Sequence, residues 1–253
     1  MLGRHRLGIT MNISPDAPAG KVAGLDTLLL PSVHTGIPPN TDPISYQSSY
    51  PNEPQLRHAR AAEICELTHA LMHARQTVSP RRLDAPGPNV EQFNRLLLAA
   101  AAAPDHGLLV PWRFVVVPLH KREALGEVFA LALIDRDPGA TLAQIEDARS
   151  KAQRAPLLML AIARLGIEEP NTPPLERMIS MGCAVQNILL SAQAMGFRSG
   201  LTSGRAINSQ RMRELFSLAI GEEAVCFVNI GTAGKEKQRR LRPLPERFVS
   251  TLS

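Results

Sequence analysis

The stretch from Arg154 to Arg164, RAPLLMLAIAR, decides how this chain folds. Ala155 to Ala163 is an unbroken apolar run, and it stops well short of the roughly 18 residues that a membrane span needs. No polar residue alternates within Pro156 to Ala163, so the run reads as a strand apolar on both faces, buried between layers. Two further strands are expected around it. Arg113 to Val117 is a short β-branched run, and Ala224 to Ile230 is a last strand closed by Gly231–Thr232.

The segments between and before these strands carry helical spacing. Ile64, Leu67, Thr68 and Leu71 recur at three and four residues, which predicts an amphipathic helix. Asn89 stands three residues before Gln92, a capping-box pattern, and Phe93, Leu96, Leu97 and Ala100 form the buried stripe of the helix it opens. Two helices are expected at about 121–133 and 141–153, joined by a turn at Asp137–Pro138–Gly139. From about Leu175 to Met195 the chain is apolar nearly all round, as in a helix enclosed by protein, and Gly196 is its C-cap. Gly200 to Gly204 reads as a Gly/Ser/Thr loop, and Asn208 as the cap of a helix carrying Met212, Leu215 and Phe216. Helices interleaved with a few short strands make a layered sheet-and-helix domain, not a pure βαβ series.

Before residue 56 the composition differs. Pro15, Pro18, Pro31, Pro38, Pro39, Pro43, Pro51 and Pro54 are mixed with Gly, Ser, Asn and Thr, and no apolar period runs through. Residues 1–55 are expected to be an extended or disordered arm, and residues 56–253 the folded domain. No apolar h-region follows the first basic residues, so no secretory signal is expected. Over all 253 residues, 44% are hydrophobic and 20% charged, enough core and too little charge for a chain disordered throughout. Cys65, Cys183 and Cys226 cannot pair completely and show no C-x-x-C spacing, which points away from a disulfide scaffold and toward a reducing cytoplasm. The net charge of +5 allows anionic ligands, but with 4% aromatic residues a nucleic-acid binder is the weaker reading.

The common dinucleotide, P-loop, zincin and hydrolase motifs are absent. His69 and His73 lie four apart without a third ligand at helical spacing, so no metal site is expected. Four local clusters remain. Arg75–Gln76–Thr77 offers a guanidinium, an amide and a hydroxyl to a phosphate or polyol; the plainer reading is an ordinary basic helix end. Ala103–Pro104–Asp105–His106–Gly107, followed by Pro111–Trp112, is a polar loop between a buried helix and a buried strand, either a ligand loop or a set of chain-end caps. Gly200–Leu201–Thr202–Ser203–Gly204 can let backbone N–H groups approach a ligand, or simply connect elements. Lys235, Lys237, Arg239, Arg240 and Arg242 can neutralise a phosphate or form a solvated tail.

In this order the clusters resemble the nitroreductase family, the FMN-dependent oxidoreductases, and within it the short NAD(P)H nitroreductase branch. The family's R-R-S is Arg75–Gln76–Thr77 here; its A-P-D-H with P-W is Ala103 to His106 with Pro111–Trp112. Its G-C-A-V is Gly182 to Val185, its Gly-x-x-S-G loop lies within Gly200 to Gly204, its G-T-P is Gly231–Thr232–Ala233, and its R-A-P is Arg154–Ala155–Pro156. The likeness spans about residues 70–253.

The resemblance implies an α+β three-layer sandwich, a mostly antiparallel sheet flanked by helices, in an entwined homodimer with FMN at the interface. It implies that Arg75, Gln76 and Thr77 hold the FMN phosphate and ribityl chain. His106 would approach the flavin from the partner subunit, and the backbone of Leu201, Thr202 and Ser203 would line the flavin. Gln76 and Ala102 stand where relatives carry cations, and Leu201 where they carry Trp. Lys235 or Arg239 is expected to supply the missing phosphate charge. The implied reaction is ping-pong hydride transfer from NAD(P)H through flavin N5 to a nitroaromatic, quinone or similar small acceptor, with no membrane partner and no side-chain nucleophile. A non-enzymatic flavin-binding protein is the alternative that the weakened phosphate contacts favour.

Overall fold

The computed structural model describes residues 61–166, 171–234 and 241–252, so the arm expected at 1–55, together with Lys235 and Arg239, lies outside the described residues. The apolar run forms β2 (Leu157–Arg164), an inner strand. It pairs with β1 (Trp112–Val116) on one side and β4 (Glu222–Gly231) on the other, and β4 pairs with β3 (Arg198–Thr202). The four strands run in the order β1-β2-β4-β3, antiparallel throughout.

The alternation hidden in the uniformly apolar run sorts β2 between two cores. Met159, Ala161 and Ala163 pack with Leu96 and Ala100 of α2 (Val90–Ala101) and with Met181, Ala184 and Ile188 of α5 (Pro174–Ala194). Leu158, Leu160 and Ile162 pack on the opposite face with Leu125 of α3 (Arg122–Arg136) and Met212 of α6 (Gln210–Leu215). α4 (Leu142–Ser150) lies on α3. The result is the expected three-layer α+β sandwich. A fully buried Leu, Ile or Met side chain contributes roughly 1.5–3 kcal/mol, so both layers are held by this one strand.

Several local expectations hold. Asn89 and Gln92 form the reciprocal capping box, at 2.9 and 3.0 Å. Gly196 leaves α5 at φ +87, a left-handed position that favours glycine. Other expectations are corrected. Gly200 to Gly204 is not a loop throughout: Gly200, Leu201 and Thr202 belong to β3, opposite Asn229, Val228 and Phe227. Ser199 to Gly204 has little strand propensity of its own, and the ladder with β4 imposes the extended form. Ser209, not Asn208, caps α6, accepting from Met212 N at 3.2 Å. The helix expected to run to about 153 ends at Ser150 and tightens into a 3₁₀ turn at Lys151–Gln153.

Several helices keep apolar side chains uncovered, α1 and α5 among them. In α1 (Ala61–Ala74) no residue is buried, and Ile64 and Leu67 of its expected stripe are 58% and 63% exposed. α5 is enclosed on its inward side alone; Leu175 and Ile179 are 74% and 60% exposed, and Gly182 follows them on the same stripe with open space above it. The expectation that α5 is covered all round is therefore corrected for the single chain. Among the described residues, no helix is long and apolar enough to cross a membrane.

Candidate functional site

The chain that leaves α1 runs beside the outer edge of β3. Thr77 bridges Ser199 in parallel, and Val78 N donates to Ser199 O at 2.9 Å. A side chain at position 200 would obstruct this approach: a Cβ on Gly200 would lie 2.2 Å from Val78 O. The first and third sequence clusters, separated by more than a hundred residues, thus become neighbours. Arg75 and Gln76 are half-buried and Thr77 is exposed; Leu201, Thr202 and Ser203 are exposed on and beyond β3.

Arg75 has a cationic neighbour. Arg242 Nη2 donates to Arg75 O at 3.0 Å. Burial, and after it the Arg242 guanidinium, push the Arg75 pKa down. Neither side chain is paired with a carboxylate among the described residues. Two guanidiniums held together without an acid form a site that an anion stabilises. Arg242 stands in the basic run read from sequence, but nothing in that run singled it out over Lys235 or Arg239. Its contact with Arg75 depends on where the tail returns in space.

Below β3 and β4 lies a cavity of about 510 Å³, within the range of small-molecule sites. Thr202, Ser203 and Gly204 form one wall, Lys151 and Arg154 another, and the buried Asn229 lies between them. Asn229 Nδ2 holds β3 in place, 3.1 Å from Gly200 O and 3.2 Å from Thr202 Oγ1. Lys151 and Arg154 share Asp147, at 3.6 and 2.8 Å, and Arg81 pairs with the same carboxylate.

Their wall is pinned by Arg122, 1% exposed at the start of α3. Its guanidinium donates to Val117 O and Ala152 O at 2.8 Å and to Arg154 O, Ala155 O and Pro156 O at 3.2–3.4 Å. Burial lowers the Arg122 pKa. This carbonyl cage satisfies a buried charge with no counter-ion among the described residues and holds Ala155 at φ +69. The R-A-P sequence was visible beforehand; its tie to a buried arginine more than thirty residues earlier was not.

His106 lies apart from these residues. It opens the 3₁₀ turn His106–Leu108, and its Nδ1 is 2.7 Å from Glu176 Oε1 at the start of α5, with both side chains largely exposed. Asp105, in the same loop, accepts from Val110 N at 2.7 Å. Asp105, Leu108, Val110 and Trp112 line a second cavity of about 370 Å³. Neither of these two cavities is lined by His106, and its hydrogen bond goes to Glu176, not to Arg75–Thr77 or Leu201–Ser203.

The comparisons with known proteins settle the family. The family model described as Nitroreductase family matches residues 74–232, more than half of the chain. The chain belongs to the nitroreductase family. It is therefore an oxidoreductase by family. A Haemophilus influenzae protein named "Putative NAD(P)H nitroreductase" is 33% identical over 175 residues, 69% of this chain and 94% of that protein. The Escherichia coli K12 protein YdjA, which bears the same description, is 32% identical over 173 residues, 68% of this chain and 93% of that one. Among solved structures, a nitroreductase-like protein from Bacillus cereus superposes with a TM-score of 0.63 at 17% identity, over 73% of this chain and 95% of that one. Iodotyrosine deiodinase bound to FMN and 3-iodo-L-tyrosine superposes at 0.56 with 19% identity, over 73% and 98%. A Bacteroides fragilis nitroreductase with bound FMN does so at 0.54 with 17% identity, over 73% and 98%. These likenesses establish the fold.

Proposed function

We infer that the chain is an FMN-dependent NAD(P)H oxidoreductase acting on a small nitroaromatic, quinone or similar acceptor. The observation that carries this reading is the juxtaposition at the edge of β3: the Arg75–Arg242 pair stands at one end of the Gln76–Thr77 segment, and that segment is bonded to the strand that bears Leu201 and Thr202 and leads into Ser203. A molecule with a phosphate at one end and a flat polar ring at the other matches this order of groups. Bound FMN would supply two-electron chemistry, taking hydride from NAD(P)H and delivering the electrons to the acceptor alternately in one open site.

The chain's own residues bind and orient. Arg75 holds the phosphate, the role expected of it from sequence, and Arg242 supplies the added charge expected of Lys235 or Arg239; those two remain candidates to share it. Thr77 offers its hydroxyl to the polyol, and Gln76 its amide. The backbone of 201–203 flanks the ring, and the Lys151 ammonium on the facing wall favours an anionic reduced state. A homodimer completes the site in this reading: His106 reaches the flavin of the partner subunit. The uncovered side chains of α1 and of the outer α5 stripe support such an interface, since patches of this kind mark association surfaces.

The test is direct. The purified protein should be yellow, with bands near about 370 and 450 nm, as flavin chemistry requires, and should run as a dimer carrying one FMN per chain. Replacing Arg75 or Arg242 with Ala should weaken FMN about tenfold to a hundredfold, as for loss of a charged hydrogen bond, and leave riboflavin nearly unaffected. Equal losses for the two flavins, or a colourless protein that takes up neither, would reject the assignment.

A further inference from the structure

The cavity beneath β3 and β4 has an uneven charge balance that FMN binding does not explain. Its floor is apolar, built of Phe129, Leu133 and Phe227, whereas every charged residue lining it is a cation: Arg136, Lys151, Arg154 and Arg205. Asp147 compensates Lys151 and Arg154. Arg136, at the end of α3, and Arg205, just past β3, pair with no carboxylate among the described residues. Asp135 stands next to Arg136 in sequence but is committed to Arg211 at 2.6 Å. Two uncompensated guanidiniums therefore border an apolar cavity that shares Thr202 and Ser203 with the flavin-lining segment. The phosphate of FMN has its own pair in Arg75 and Arg242, so the reading of the cofactor site leaves these charges unused.

We propose that Arg136 and Arg205 form an anion subsite that selects an acidic electron acceptor, a flat aromatic or quinonoid molecule bearing a carboxylate. The apolar floor takes the ring, and the two guanidiniums meet the acid group at the rim, where a planar fork matches a carboxylate. A cavity walled by one sign of charge also concentrates ligands of the opposite sign. The 2′-phosphate of NADPH is the competing source of negative charge. It is remote from the nicotinamide, whereas Arg136 and Arg205 line the same cavity as 202–204, which favours the acceptor. This proposal rests on the oxidoreductase reading above.

The experiment compares 4-nitrobenzoate with 4-nitrobenzamide, which has nearly the same shape without the charge, using holoenzyme and the variants Arg136→Gln and Arg205→Gln. The ratio of kcat/KM for the acid to that for the amide should fall about twofold to fivefold in each variant, the scale of an exposed charge pair. The affinity for 4-nitrobenzoate, read from its perturbation of the flavin spectrum, should fall by a similar factor and weaken as salt rises. An unchanged ratio overturns the proposal. So does a KM that rises for NADPH and not for NADH, which would assign the subsite to the dinucleotide, or a parallel loss of FMN, which would assign it to the cofactor. A protein that takes up no FMN defeats the oxidoreductase reading separately. Calorimetry with 4-nitrobenzoate then decides the subsite: binding that weakens in both variants upholds it, and no binding rejects it.

Discussion

Gly200→Ala is the substitution on which the assembly of the site most depends. The added methyl would lie 2.2 Å from Val78 O and 3.3 Å from Val78 C, both backbone atoms that no rotamer change can move aside. Either β3 parts from β4 or the 75–78 segment parts from β3. The second is easier, because β3 is held to β4 by a full ladder and by Asn229, whereas Val78 is held to Ser199 by a bridge. The loss comprises the Val78 N–Ser199 O bond at 2.9 Å, about 1 kcal/mol, and overpacking strain, about 1–3 kcal/mol. Together these make roughly 2–4 kcal/mol, or a fall in Tm on the order of 4–16 °C for a domain of this size. Because Arg75 to Thr77 move with Val78, FMN affinity should fall as well, and riboflavin affinity with it, since the ribityl contacts shift along with the phosphate contacts. Thermal melts of the apoprotein and flavin titrations measure the two effects. A variant that melts within about 1 °C of the parent and binds FMN normally would refute the argument that the glycine permits this approach.

Other outcomes follow from individual groups. Arg122→Met should destabilise the fold by about 3 kcal/mol or more, because five carbonyls lose their donor, and chemical denaturation measures it. The Arg113 hydrogen bonds outweigh the upward push of burial and hold Glu222 at about 2, with the Ala219 N–H and the charge of Arg164 assisting. Its depressed pKa means that the stabilisation is present above the ordinary carboxylate value and is lost as pH falls through about 2; in Glu222→Gln the slope of stability against pH in that window should flatten. His106→Ala should alter turnover more than FMN retention and move Tm by less than about 2 °C, since its bond to Glu176 is exposed; a large Tm shift with unchanged turnover would make it a purely local contact. Burial raises the Cys226 thiol to about 11, so thiol reagents should label exposed Cys65 in the native protein and reach Cys226 on unfolding alone.

Local sequence determined the elements whose causes are local. The Asn89–Gln92 capping box, the left-handed Gly196 and the β2 run depend on neighbours within a few residues, and each was legible because the energies that decide it act along the chain. The clusters at 75–77, 103–106 and 200–204 were also legible as residue types in order. Tertiary structure decided the rest. Gly200 to Thr202 became a strand through pairing with β4, against their own weak propensity. Arg242 reached Arg75 because the fold returns the tail to the end of α1. Arg122 caged itself with carbonyls distant in sequence, and the cationic cavity arose from α3, the 151–154 turn and the chain after β3. Such contacts are set by packing and charge between segments far apart in the chain, and no window of sequence contains both partners.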